Sequence, residues 1–77
     1  MLLDIKYFGL ISEETGCNDE SIEFFGSTIN ELLELLYKKY PNLKNKDFQV
    51  AQNRKITSFE TKILGGEIAL LPPFSGG

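Results

Sequence analysis

The fold of this 77-residue chain is decided by its last stretch, Gly66-Glu67-Ile68-Ala69-Leu70-Leu71-Pro72-Pro73-Phe74-Ser75-Gly76-Gly77. Four successive apolar residues at 68–71 are typical of a strand that has a neighbour on each side. The two prolines after them stiffen an extended exit, and the closing glycines carry no side chain. Fully extended, the last six residues reach on the order of 20 Å. The stretch therefore predicts a central strand and a presented tail.

Working outward from that strand, the N-terminal third of the chain predicts two more strands. Apolar and charged residues alternate over residues 2–8, which is the two-residue period of a strand with one buried face. A polar turn or a short helical turn is predicted at 12–16. A second strand is predicted over 21–25, with Ile22 and Phe24 on one face. The acidic pairs of this region are interpreted as solvated turns.

The middle of the chain predicts one helix. Thr28 and Glu31 have the spacing of a capping box, in which each residue satisfies a free amide of the first helical turn. Pro41 cannot lie inside a helix, so the helix ends near residue 40. Leu43 is expected to fold back onto the helix end. The helix carries one apolar stripe at helical spacing, consisting of Ile29, Leu32, Leu33, Leu36 and Tyr40.

The remaining segments complete an α+β fold. A third strand is predicted over 48–52 with Val50 inward, a short edge strand over 56–59, and the last strand over 67–71. One main helix across a mixed sheet of four to five strands is a two-layer arrangement. With the last strand central beside the first, this is the β-grasp or ubiquitin-like fold. The predicted domain spans residues 1–71, and residues 72–77 form an extended tail.

The composition disfavours several function classes. The formal net charge is −3 without a basic cluster, which argues against nucleic-acid binding. The chain has no histidine, so a metal site, a bound cofactor or self-contained hydrolytic chemistry is not expected. No stretch is long enough to span a membrane. The single cysteine, Cys17, fits a reducing compartment and is interpreted as an ordinary loop residue, so a cytoplasmic protein is expected.

The chain resembles the MoaD-type small subunit of molybdopterin synthase, a sulfur carrier, over nearly its whole length. The resemblance is carried by Tyr7-Phe8 in the opening strand, by Asn53 after the third strand, and by the closing stretch 66–77. Its most specific part is Pro72-Pro73, because sulfur carriers for thiazole synthesis share the fold and the diglycine but usually lack the double proline.

Two positions depart from the family's pattern. Gly66 stands where the closing turn of the family has an aspartate. Ser12 stands where family members often have an arginine in the turn after the first strand, and serine cannot form a salt bridge to an activating partner there.

The resemblance implies a chemistry for the end of the tail, Gly76-Gly77. A ubiquitin-activating-type enzyme adenylates the terminal carboxylate of Gly77 with ATP, and a sulfur donor such as a desulfurase or rhodanese converts it to a thiocarboxylate. The large catalytic subunit of the synthase, in an expected heterotetramer, accepts this tail. Two sulfur transfers then build the dithiolene on a cyclic pterin phosphate precursor. The chain itself is thus expected to be a sulfur donor and not an enzyme.

Partner contacts are expected on the outward face of the sheet and along the tail. If Leu3, Ile5 and Tyr7 face the core, the next residue, Phe8, faces outward. The same alternation turns Leu71 outward together with Glu67 and Ala69, and Ile56 is expected nearby. Exposed apolar groups that cluster on a sheet face mark contact sites. The partner-binding residues implied by the resemblance are Phe8, Ile56, Leu71, Pro72, Pro73, Phe74 and Ser75.

Three alternatives use the same features. A sulfur carrier for thiazole or for a thiolated tRNA base would present the same tail. A protein modifier would form an isopeptide bond from Gly77 to a lysine after the same activation. An interaction module with this fold would use no terminal chemistry.

Overall fold

The computed structural model describes residues 1–73, which form a five-stranded sheet packed against one main helix. No helix in this part of the chain is long and apolar enough to cross a bilayer. In chain order the elements are β1 (Leu2–Tyr7), α1 (Leu10–Thr15), β2 (Asp19–Glu23), α2 (Ile29–Lys39), a 3₁₀ helix (Pro41–Asn45), β3 (Gln49–Gln52), β4 (Lys55–Thr57) and β5 (Gly66–Leu71).

The last strand lies in the middle of the sheet, as its apolar sequence predicted. The strand order is β2-β1-β5-β3-β4. β5 runs parallel to β1, with Ile68 opposite Ile5, and antiparallel to β3, with Leu70 opposite Val50. It joins the β1-β2 hairpin to the β3-β4 hairpin, so that both of its edges are paired. The predicted β-grasp arrangement is confirmed.

The main helix begins and ends where the sequence predicts. Thr28 Oγ1 accepts a hydrogen bond from the Glu31 amide at 3.3 Å, which satisfies a free donor of the first turn. The helix ends at Lys39, and Pro41 starts the 3₁₀ helix that follows. Leu43 is fully buried, so the chain does fold back after the helix.

The core lies between α2 and one face of the sheet. Apolar side chains from both layers fill it, which is the two-layer solution for a domain of this size. Its largest fully buried members are Tyr7, Leu3, Ile5, Ile29, Leu32, Leu33, Leu36, Leu43, Ile68, Leu70 and Val50.

Two strands differ from their predicted bounds by two residues at one end or both, and the other three differ by one residue. β2 covers Asp19–Glu23 instead of 21–25, because its ladder follows β1 and ends where Leu2 pairs with Glu23. Phe25 lies beyond this ladder and is 86% exposed. β4 covers Lys55–Thr57 instead of 56–59, because its antiparallel ladder with β3 is only three pairs long.

The loop between β4 and β5 has structure that the sequence did not predict. It is tied to the start of α2, where the Ile29 amide donates to the Thr61 carbonyl at 3.0 Å and the Ile63 amide donates to the Ser27 carbonyl at 2.7 Å. The buried Gln52 side chain holds the other side of the loop. Its amide donates to the Lys62 carbonyl at 3.1 Å, and its oxygen accepts from the Leu64 amide at 2.7 Å.

Candidate functional site

The tail leaves the domain from the centre of the sheet. Leu71 is the last residue of β5 and pairs with Gln49, while the Phe8 amide donates to the Leu70 carbonyl at 3.2 Å. Pro72 has no amide hydrogen, so the ladder cannot continue through it. The base of the tail, Pro72-Pro73, therefore begins between the end of β1 and the start of β3.

The tail base packs against the turn that follows β1. A Cβ added to Gly9 would lie 3.0 Å from Pro72 Cγ, which is too close for an ordinary contact. The proline ring therefore sits directly on the glycine backbone. A groove of about 440 Å³ opens beside this contact. It is lined by Gly9, Leu10, Ile11, Asn45, Lys46, Asp47, Pro72 and Pro73.

The structure places the three predicted docking residues on the open face of the sheet. Phe8 is 43% exposed and, by extension of the register in which Tyr7 lies opposite Leu70, stands beside Leu71. Leu71 is half-buried, and Ile56 is 54% exposed two strands away. Phe8 and Leu71 are thus neighbours, whereas Ile56 lies across the sheet from them.

Two alanines connect these residues. Ala51 lies opposite Ile56 in one ladder and opposite Ala69 in the next, so the three side chains form one row across the sheet. Ala69 points outward as predicted but is only 7% exposed, and Ala51 is 5% exposed. Such small side chains leave a flat apolar floor. Ala51 was missed by the sequence interpretation, although the inward assignment of Val50 implied it.

At the other end of β5, Asn53 fixes the start of the strand. Its backbone amide donates to the Glu67 carbonyl at 2.9 Å, and its side-chain oxygen accepts from the Glu67 amide at 3.1 Å. A Cβ on Gly66 would lie 2.7 Å from that oxygen, and Gly66 has φ of +88°. Glycine instead of the family's aspartate therefore suits this turn, and Asn53 has a structural role here.

A polar cluster under the sheet joins the helix to the edge strand. Glu20 accepts hydrogen bonds from the hydroxyls of Tyr7 and Tyr40, both at 2.6 Å, and forms an ion pair with Lys39. Its side chain is only 16% exposed, so the interpretation of Glu20 as part of a solvated turn was wrong. The sequence did not predict this role, because only the tertiary structure brings Tyr7, Lys39 and Tyr40 to Glu20.

This cluster shifts the pKa values of its members. Burial tends to raise the pKa of Glu20, but the hydrogen bonds from Lys39, Tyr40 and Tyr7 outweigh it and the pKa is lowered. Burial and the bond to Glu20 raise the pKa of Tyr7 and of Tyr40 above the usual tyrosine value. Both hydroxyls therefore stay protonated as donors at neutral pH.

The remaining site predictions concern the chain end, a metal site and Cys17. Phe74, Ser75, Gly76 and Gly77 lie outside the described residues, so the predictions for them stay predictions. Within residues 1–73 no group of three or more His, Cys, Asp or Glu residues is placed to hold a metal ion. Cys17 is half-buried, and its sulfur lies 3.9 Å from a Glu20 carboxylate oxygen.

A mixed five-stranded sheet, one main helix across it and a proline-stiffened segment leaving the central strand define a ubiquitin-like β-grasp protein. The profile of the ThiS family matches residues 5–77, and the chain belongs to that family. Within it, the chain has the ubiquitin-like β-grasp fold of the MoaD type.

Three solved structures illustrate the likeness. A putative molybdopterin converting factor subunit 1 from Pyrococcus furiosus has a TM-score of 0.88 at 22% identity, over 96% of this chain and 99% of that one. SAMP1 from Haloferax volcanii, a small archaeal modifier protein, has a TM-score of 0.80 at 24% identity, over 100% of both chains. Both identities are low enough that these two comparisons establish the fold alone.

The third structure is a complex. It contains subunits 1 and 2 of the molybdopterin-converting factor from Helicobacter pylori 26695, and the matching chain has a TM-score of 0.68 at 26% identity over 100% of both chains. A protein with this fold therefore occurs with a partner subunit.

Proposed function

We propose that this chain is the sulfur carrier subunit of molybdopterin synthase. The observation that supports this most directly is the position of Pro72-Pro73, which leaves the central strand beside the apolar face of Phe8 and Leu71. The likeness to a subunit of the Helicobacter pylori converting-factor complex adds support. In this proposal Gly77 ends the chain and carries the sulfur.

The chemistry follows from the poor reactivity of a carboxylate. A ubiquitin-activating-type enzyme joins the Gly77 carboxylate to AMP from ATP, with loss of pyrophosphate, and the mixed anhydride has a good leaving group. The persulfide of a sulfur donor, of the desulfurase or rhodanese class, then displaces AMP to give an acyl disulfide, and a thiol cleaves its S–S bond to leave a thiocarboxylate and a disulfide. The thiocarboxylate sulfur attacks the cyclic pterin phosphate precursor in the large subunit, and water hydrolyses the resulting thioester to return the Gly77 carboxylate. A second charged chain completes the dithiolene.

The division of labour is consistent with the residues of this chain. It contains no histidine to act as a general base, and Lys39 is engaged by Glu20. In this proposal the acids and bases of the transfer come from the large subunit. This chain contributes the apolar face, the stiff tail base and the terminal group. We place the reaction in the cytoplasm, where a free Cys17 is stable.

Intact mass of the chain, purified from cells that make the cofactor, tests this proposal. One oxygen-to-sulfur exchange localised to Gly77 is expected. A chain with a residue added after Gly77 that is not removed by processing should show no exchange and no transfer, while its thermal unfolding stays unchanged. Sulfur transfer by that extended chain would contradict the mechanism.

The acceptor is tested separately. The thiocarboxylated chain, mixed with the large subunit and the pterin precursor, should yield the dithiolene product. A charged chain that supports only thiazole or tRNA thiolation would be a carrier for another pathway. Conjugates of higher mass would make it a modifier, and an unchanged mass would make it an interaction module.

A further inference from the structure

We propose that Gly9 is a positioning residue that sets the direction in which the tail leaves the domain. Its effect on sulfur transfer rests on the function proposed above, whereas its contact with Pro72 does not. The residue that it contacts, Pro72, precedes Gly77 by five positions in the chain. Gly9 acts through the proline ring that rests on it.

The backbone of Gly9 has a conformation that only glycine adopts freely. Its φ and ψ are +59° and −136°, the mirror image of an extended conformation. An L-residue there would be strained, and its Cβ would lie 3.0 Å from Pro72 Cγ and 4.0 Å from Pro72 Cδ. The Pro72 ring therefore occupies the space that a side chain at position 9 would need.

Gly9 is itself held firmly on both sides. Its carbonyl accepts the Ser12 amide at 3.1 Å and the Ser12 hydroxyl at 2.7 Å. Before it, the Phe8 amide donates to Leu70, and the Phe8 carbonyl accepts from the amide of the buried Ile11. The turn is thus joined to β5 and to the core. This also gives Ser12, the residue in place of the family's arginine, a local role.

A small change in the direction of Pro72 would produce a large displacement at the end of an extended tail. Extended residues span at most about 3.3–3.6 Å each, so the five residues after Pro72 can reach about 17 Å. For a fully extended tail, a tilt of roughly 10° at the base would move the end by about 3 Å. Misplacing a reacting group by about 1 Å can cost on the order of a hundredfold in rate. The direction of the tail base therefore controls transfer more than binding.

The test compares L-alanine with D-alanine at position 9. The Gly16–Cys17 junction permits chemical ligation of two synthetic segments, so both variants of the full chain can be made. D-alanine favours the observed mirror-image backbone and directs its methyl away from the position that L-alanine would occupy. Gly16→Ala is a second control, because Gly16 also has a positive φ, of +78°, but has nothing within 4 Å of the added Cβ.

The readout is single-turnover sulfur transfer from the thiocarboxylated chain to the precursor in the large subunit. Gly9→Ala should lower the transfer rate at saturation by about tenfold or more, with the affinity for the large subunit unchanged. The D-alanine chain and Gly16→Ala should stay within about twofold of the original chain. Equal loss with L- and D-alanine, or no loss with L-alanine, would overturn the inference.

A double-mutant cycle separates the steric contact from backbone strain. Pro72→Ala removes the ring atoms that the new methyl would meet, so its effect should not add to that of Gly9→Ala. Additive losses in transfer rate would assign the effect to strain alone and overturn the inference. If the L-alanine chain does not fold, Pro72→Ala alone is decisive. It should slow transfer at saturation, and an unchanged rate would count against the proposal.

Nuclear magnetic resonance of the free chain keeps this inference apart from the proposed function. A nuclear Overhauser effect between the Gly9 α-protons and the Pro72 ring is expected whatever the acceptor of the sulfur is. Its absence would remove the positioning role even from a working carrier. If the Overhauser effect is present but the chain never transfers sulfur to a pterin, the proposed function is wrong and the contact of Gly9 with Pro72 stands.

Discussion

The two faces of β5 belong to the same six residues but serve different purposes. Ile68 and Leu70 are fully buried against the helix, whereas Glu67 and Leu71 lie partly exposed on the open side. Ala69 shares the open side and leaves it flat. The alternation of a strand thus lets one face stabilise the domain while the other remains available to a partner. Substitutions on the two faces should accordingly separate stability from binding.

The largest effect is expected on the inner face. Leu70→Ala should lower the free energy of unfolding by about 2–5 kcal/mol, because it leaves a cavity in a fully packed core. Denaturant unfolding followed by circular dichroism measures this. Ala69→Gly on the other face is the control for strand disruption. A loss of less than about 1 kcal/mol for Leu70→Ala would mean that the inner face is not the core described here.

The outer face should show the opposite behaviour. Phe8→Glu and Leu71→Glu should each weaken binding to the large subunit by about 2 kcal/mol, roughly thirtyfold, by placing a charge in an apolar contact. Thermal unfolding should stay within a few degrees of the original. Phe25→Glu is a matched control, since Phe25 is 86% exposed at the opposite end of the sheet. Titration calorimetry measures the affinity. If Phe8→Glu or Leu71→Glu binds the large subunit as tightly as the original chain, the proposed docking surface is wrong.

A polar residue on the inner face sharpens the comparison. Gln52→Leu should cost about 1–3 kcal/mol although it adds apolar area, because the Leu64 amide and the Lys62 carbonyl lose their partner. Hydrogen exchange should show faster opening of the loop at 58–65. Protection there equal to that of the original chain would show that the Gln52 side chain does not hold the loop.

The smallest effect concerns the polar cluster around Glu20, beside the core. Because the folded state lowers the pKa of Glu20, its carboxylate stabilises the fold at pH values above the ordinary glutamate pKa. This contribution is lost as the pH falls through the lowered folded-state value. Glu20→Gln should therefore reduce stability by about 1 kcal/mol at pH 7 and flatten the acid limb of the stability curve. Glu13→Gln, at an exposed position, is the control, and identical acid limbs for both variants would refute this role of Glu20.

The amino-acid pattern was sufficient for the elements that rest on local physics. The capping pair Thr28 and Glu31, the stop at Pro41 and the apolar run 68–71 predicted the helix and the central strand, because each acts within a few residues. The bounds of β2 and β4 were misplaced because pairing partners set them, and partners are distant in the chain.

The candidate site divides in the same way. Residue type alone identified the diglycine and the double proline, and the alternation of a strand predicted that the Phe8 and Leu71 side chains face outward. The contact of Gly9 with Pro72, the row through Ala51 and the bonds of Glu20 could not be predicted in this way. Glycine, alanine and glutamate have no distinctive periodic signal at single positions.

By itself, the sequence predicted a central strand that ends at Pro72-Pro73, because an apolar run and prolines constrain the backbone locally. The tertiary structure decided what Pro72 rests on. Only folding brings the turn after β1 against the residue after β5, since 63 positions separate Gly9 from Pro72 (72 less 9). A parallel pairing of the first and last strands makes that contact, and pairing depends on the packing of the whole sheet.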